Sequence, residues 1–165
     1  VRPAFLFKRA SASERRRIFA GRLLPGRLVR PAVVPVAPDL AGLRFQAPHT
    51  DDAAGAHREA VRRPVRGSFN LAAGPVLDAA ALAVLLEARP RRVPIAPVRA
   101  AAWRMHLVPA SPDLFDAVLR IPLLDCARAR SELAWEPRHT ALEAVGEFLD
   151  GVREDAGPAT APLAA

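Results

Sequence analysis

The chain has 165 residues, 51% hydrophobic and 25% charged, with a formal net charge of +7. That length and balance fit one globular domain with a sizeable core and exclude a disordered chain. No apolar run reaches membrane-spanning length, no secretory signal opens the sequence, and one cysteine, Cys126, excludes an internal disulfide, so a cytoplasmic setting is expected.

The positive charge is uneven. Residues 1–35 hold nine basic side chains against Glu14 alone, a balance of +8 that leaves the remainder near −1. Such a segment attracts phosphates of any kind, including those of a dinucleotide or an anionic substrate. The marks of a nucleic-acid binder are mostly missing: there is no Tyr, aromatics make up 5%, and neither zinc-finger spacing nor an aromatic RNA-binding motif occurs.

In chain order, residues 1–7 (VRPAFLF) read as a buried strand, apolar on both faces after Arg2 and Pro3. Ser11 or Ser13 caps a helix that opens at Glu14 and turns Ile18, Phe19 and Leu23 inward, until Pro25 and Gly26 end it. Residues 28–36, punctuated by proline, suit an irregular edge strand. Residues 43–47 form a short strand that turns at Pro48 and His49 into a helix. Thr50 or Asp51 is its expected cap, and Asp51 and Asp52 both favour the positive end of its dipole. Ala53, Ala56, Ala60 and Val61 give that helix a narrow face for close packing.

Within residues 67–72, Asn70 is expected to cap or pin the following turn. A helix is expected over 76–86, a strand over 91–95, a helix over 98–107 carrying Trp103 and Met105, and another over 113–120. Asp125 caps a short helix that Leu133 and Trp135 anchor and Pro137 stops. Thr140 and Glu143 form a capping box for a last helix with Leu142, Val145, Leu149 and Val152 on its apolar face. The Pro- and Ala-rich residues 155–165 read as a disordered tail.

Two clusters have bland explanations. His49, Asp51, Asp52 and His57 lack a recognised metal-ligand spacing, and helix capping accounts for both carboxylates, so no metal is expected. Cys126 reads as a small buried hydrophobe rather than a nucleophile.

Four segments carry a family resemblance: the Arg2-Pro3 strand ending at Phe7, the run His49-Thr50-Asp51-Asp52-Ala53-Ala54, the strand GSFNLA over 67–72, and DCARARSELAWEP over 125–137. In this order, over residues 1–154, they resemble the NAD-dependent epimerase/dehydratase family, the extended short-chain dehydrogenases. The resemblance implies an α/β fold. The chain would be the C-terminal part of a Rossmann-like enzyme, its last parallel strands plus a small mixed α/β substrate lobe. It places Pro3, Ala4 and Phe5 beside the nicotinamide of NAD or NADP and Arg30, Arg44 and His49 toward a small-molecule substrate. Asp51, Asp52, Asn70, Asp125 and Trp135 would be structural.

Departures from the family leave the substrate open. The arginine that grips the diphosphate in sugar-nucleotide members aligns with Phe45, one residue from Arg44. Phe5 and Lys8 stand where those members often carry Asn and Gly. The family glycine before Trp135 is Ala134, which is strained if the backbone there is left-handed. The family's chemistry needs a Tyr–Lys pair and a Gly-rich turn, whereas this chain has no Tyr, Lys8 as its only lysine, and no such turn. That machinery is expected upstream of Val1. The chain alone is then expected to have no catalytic residue, no activity and no bound cofactor. Its partner would be the missing nucleotide-binding half or a second copy. The alternatives are a non-catalytic binding module of the same fold and a basic nucleic-acid-binding protein.

Overall fold

The computed structural model describes residues 1–13, 36–39, 42–92, 97, 100, 103–105, 112–154 and 156. In chain order the elements are β1 (Arg2–Pro3), a 3₁₀ turn (Arg9–Ser11), β2 (Val36–Pro38), β3 (Arg44–Phe45), α1 (Thr50–Arg62) and β4 (Asn70–Leu71). They continue with β5 (Leu77–Asp78), α2 (Ala79–Leu85), β6 (Arg89–Arg91), α3 (Pro112–Leu119), α4 (Ala127–Leu133) and α5 (Ala141–Arg153). β1 runs parallel to β4 and β2 parallel to β6, while β3 runs antiparallel to β5. No helix among the described residues is long and apolar enough to cross a membrane.

The first strand differs from the sequence reading. Arg2 and Pro3 are exposed, the chain bends at Ala4 and Phe5, and pairing resumes only at a parallel bridge between Phe7 and His49. The amides of Arg2 and Ala4 donate to the carbonyls of Phe69 and Leu71 at 2.7 and 2.8 Å. Pro3, between them, therefore turns to the other edge, where its missing N–H removes no bond of the β1–β4 ladder. The helix expected over 76–86 also divides. Leu77 and Asp78 extend to pair with Phe45 and Arg44, and α2 begins only after Asp78, whose carboxylate accepts the Ala81 amide at 2.8 Å. A short acidic side chain suits that cap better than a helix interior.

The strand expected over 91–95 begins earlier, at Arg89, and residues 93–95 lie outside the described residues. So do the expected helix from Glu14, residues 28–35 with Arg30, most of 98–107, and the tail apart from Ala156.

Packing follows side-chain size. Ala53 and Ala56 of α1 are buried with Phe69, Leu71, Cys126, Ala129 and Leu133. Small residues on that face let α1 and α4 approach closely. Val61 is 87% exposed: a step of about 100° per residue carries it past the stripe that Ala60 closes. A second cluster buries Ala47, Leu77, Ala141 and Val145, with Phe7, Phe45 and Leu149 packed against it.

The last helix keeps its expected capping box. The Glu143 amide donates to Thr140 Oγ1 at 3.2 Å, and the Thr140 amide donates to Glu143 Oε2 at 2.7 Å. The Thr140 amide and hydroxyl hold the Glu143 carboxyl below its ordinary value. Near its end, Gly151 admits the 3₁₀ turn: a Cβ there would lie 2.5 Å from the Arg9 carbonyl oxygen.

Ala134, at the end of α4, has φ 50° and ψ 37°, the left-handed conformation in which its Cβ crowds the following carbonyl. Ala134→Gly is expected to raise stability by about 1 kcal/mol, the relief of that crowding less the added freedom of glycine in the unfolded chain. A urea midpoint that stays the same or falls would contradict this.

Candidate functional site

The residues singled out in the sequence separate into two places: a junction at the start of α1 and a cleft beside β1.

At the junction, neither Thr50 nor Asp51 caps α1. His49 does, with its Nδ1 accepting the Asp51 amide at 3.2 Å. An accepting Nδ1 puts the ring proton on Nε2, which donates to Glu147 Oε2 at 3.2 Å. His49 is 3% exposed and both its ring nitrogens are engaged, so it does not line the cleft toward which the family resemblance directed it. Thr50 donates its hydroxyl to the Phe7 carbonyl at 3.2 Å. Asp51 pairs with Lys8 at 2.7 Å, and that hydrogen bond holds its carboxyl below its ordinary value.

Asp52 turns inward and is 5% exposed. Its Oδ2 accepts the amides of Arg138 and His139 at 3.1 and 3.0 Å and meets His139 Nδ1 at 3.1 Å. Its backbone carbonyl accepts Trp135 Nε1 at 2.9 Å. The rings of His49 and His139 stack with centroids 4.2 Å apart. Asp52 therefore ties the α4–α5 connection to α1, a larger task than complementing the helix dipole. His57 bonds the Ala53 carbonyl of its own helix at 2.8 Å. Among the described residues no group of three or more His, Cys, Asp or Glu side chains could hold a metal ion.

The cleft, of about 410 Å³, opens between β1, β3, β4 and the extended residues 121–124. Pro3, Ala4 and Phe5 line it with Asn70 of the paired strand β4, and Arg44 lines it from β3. Three of its parts were missed in the sequence: Arg2, Gln46 and the 121–124 wall. Gln46 carried a usable signal, a polar amide held between the apolar Phe45 and Ala47.

Two amide side chains position that wall. Gln46 Oε1 accepts the Leu124 amide at 2.7 Å and Gln46 Nε2 donates to the Leu124 carbonyl at 3.2 Å, as a neighbouring strand would. Asn70 does not pin the turn that follows it; its Nδ2 reaches across to the Asp125 carbonyl at 3.2 Å. Asp125 Oδ1 accepts the Ala127 amide at 2.9 Å while Cys126 occupies the cap position of α4, so the expected cap acts from one residue earlier. Burial pushes the Cys126 thiol up.

Arg2 and Arg44 make no side-chain hydrogen bond or ion pair among the described residues, and no carboxylate lines the cleft. The site is cationic at its rim and largely hydrocarbon elsewhere. A second cleft of about 430 Å³, between α1 and residues 133–139, is electrostatically mixed. There Glu59 already pairs with Arg58 and Arg63, and Asp51 and Glu136 share the lining with Arg138.

The architecture has counterparts among solved structures. A UDP-glucuronic acid 4-epimerase of Bacillus cereus aligns with 93% of this chain and 44% of its own, with a TM-score of 0.56 and 8% identity. A UDP-glucose 4-epimerase of Thermotoga maritima covers 93% of this chain and 45% of its own, with a TM-score of 0.56 and 16% identity. This is the fold of the C-terminal part of a Rossmann-like epimerase. The UDP-N-acetylglucosamine 4-epimerase of Bacillus cereus aligns less well, with a TM-score of 0.50, 16% identity and coverage of 92% of this chain and 47% of its own. The chain thus spans less than half the length of these structures. No family model and no curated protein matches its sequence.

Asp52→Ala is expected to lower stability by about 3 kcal/mol, because it leaves the Arg138 and His139 amides without their acceptor and opens a small void. Asp52→Asn keeps one oxygen acceptor and should cost less. A loss below about 1 kcal/mol for the alanine variant, the range of a helix-dipole effect alone, would show that the junction does not depend on this carboxylate.

Proposed function

We propose that this chain is the substrate-binding lobe of an NAD(P)-dependent epimerase/dehydratase-like oxidoreductase, with the cleft beside β1 receiving the anionic part of a small-molecule substrate. The observation that carries the reading is the meeting of Pro3, Ala4 and Phe5 with Arg44 in one cleft. The resemblance had assigned the first three to the cofactor side and Arg44 to the substrate side. The fold neighbours lend support: the Bacillus cereus UDP-glucuronic acid 4-epimerase was solved with NAD and a UDP-linked sugar acid.

The residues present fit one flank of a nicotinamide. Pro3 has no N–H, the Ala4 amide is held by Leu71, and both side chains are small enough for a flat ring to lie against them. They do not fit a pyrophosphate, which needs a Gly-rich turn that this sequence lacks. When bound, NAD(P) supplies a hydride donor or acceptor. The chain's own part is to draw and orient the substrate: Arg2 and Arg44 attract its anionic group, and Gln46 and Asn70 hold the wall that limits its position. Ile121 and Leu123 exclude water from one side. The free thiol of Cys126 suits a reducing cytoplasm.

The partner in this reading is a nucleotide-binding half, docked along the β1 edge that β4 does not cover. The isolated chain should then give no NAD(P)H turnover above buffer with sugar nucleotides or small ketones. Supplying in trans a nucleotide-binding half that carries the Gly-rich turn and the Tyr–Lys pair should raise its melting temperature and suppress binding of a hydrophobic dye. Turnover by the chain alone, or a melting temperature indifferent to the added half, would contradict the reading.

A further inference from the structure

Which polar groups of the cleft remain free decides what kind of anion it accepts. Gln46 engages both ends of its amide with Leu124, and Asn70 commits its Nδ2 to Asp125. For a ligand this leaves the guanidinium groups of Arg2 and Arg44, the Oδ1 and second N–H of Asn70, and the second N–H and second oxygen lone pair of Gln46. Much of the remaining lining is hydrocarbon, from Phe5, Ile121, Pro122 and Leu123. Ile121 and Leu123 are 42% and 39% exposed, so apolar surface stands open beside two cations that have no ion-pair partner among the described residues.

A sugar placed against that wall would strip water from its hydroxyls and find no hydrogen bond in return on the side chains of Ile121, Pro122 and Leu123. A hydrocarbon body would cover Ile121 and Leu123 without that penalty. The guanidinium groups suit a carboxylate or a phosphate equally well, since both accept paired N–H donors. The charge therefore fixes the head of the ligand and the wall fixes its body.

We infer that the cleft selects an organic anion with a hydrocarbon body, an aliphatic or aryl carboxylate or phosphate monoester, in preference to a sugar phosphate or sugar nucleotide. This rests on the reading of the cleft as the substrate site, and it separates this chain from the UDP-sugar epimerases that share its fold.

The test is calorimetric titration of the full chain, at one low salt concentration, with hexyl phosphate, hexanoate and glucose 1-phosphate. Hexyl phosphate and glucose 1-phosphate carry the same head on opposite bodies, and hexanoate separates carboxylate from phosphate. Hexyl phosphate should bind roughly tenfold more tightly than glucose 1-phosphate, the discrimination that a hydrocarbon contact of this size supplies. Ile121→Ser with Leu123→Ser should erase the difference, with the melting temperature as the check on folding. Leu123→Thr alone, which should narrow it, replaces the double variant if that one melts early. Arg44→Gln should weaken all three ligands. Equal or tighter binding of glucose 1-phosphate would overturn the hydrocarbon body while leaving an anion site. Binding indifferent to Arg44→Gln, or no binding of any of the three, would overturn the cleft as the site itself.

Discussion

The buried carboxylate of Asp52 is the point on which the described structure turns. A carboxylate on a residue only 5% exposed is costly unless its hydrogen bonds are supplied, and here two backbone amides and an imidazole supply them. The donors come from the connection between α4 and α5, whose backbone would otherwise lack partners on that side. Trp135 closes the same joint from the apolar side, its indole N–H on the Asp52 carbonyl and its ring in the core with Ala53 and Leu133. The stacked imidazoles of His49 and His139 extend the joint to β3 and, through Glu147, to α5.

Fixing that joint fixes the strands that frame the cleft. β3 leads through Pro48 into the cap of α1, so the position of His49 sets where Arg44 and Gln46 emerge. The opposite wall is set by Arg128, whose guanidinium lies 4.6 Å from the Phe69 ring centre and donates to the carbonyls of Ser68 and Arg66 at 3.2 and 2.5 Å. Gly67 is needed in that turn because its φ of +91° is one that residues with a Cβ rarely adopt. Asn70, next along, then reaches Asp125. The contacts that hold the walls use neither the Arg2 nor the Arg44 side chain among the described residues.

What was legible in the sequence was mostly local. The Thr140–Glu143 capping box and the small-residue face of α1 depend on neighbours within a turn or two, and the left-handed position before Trp135 was indicated by the glycine that the resembled family carries there. The α/β fold and its relation to the C-terminal part of epimerases could be read from the order of four segments. Long-range chemistry could not be read. Asp52 looks like a helix-dipole residue because its partners lie 86 and 87 positions away. Gln46 reveals its task only through Leu124, 78 positions on. His49 displaced Thr50 and Asp51 as the cap because its ring also fills a buried space between His139 and Glu147. Leu77 and Asp78, next to a helix-favouring alanine run, were taken by strand pairing with β3. In that contest tertiary contact outweighed local propensity.

The measurement that bears most directly on the cleft as the ligand site is nitrogen-edited nuclear magnetic resonance of the chain during titration with hexyl phosphate. The side-chain Nε–H signals of Arg2 and Arg44 and the backbone amide of Leu124 should shift together and saturate at one ligand concentration. Shifts centred instead on Arg58, Arg63 and Arg138, which line the second cleft between α1 and residues 133–139, would contradict that site.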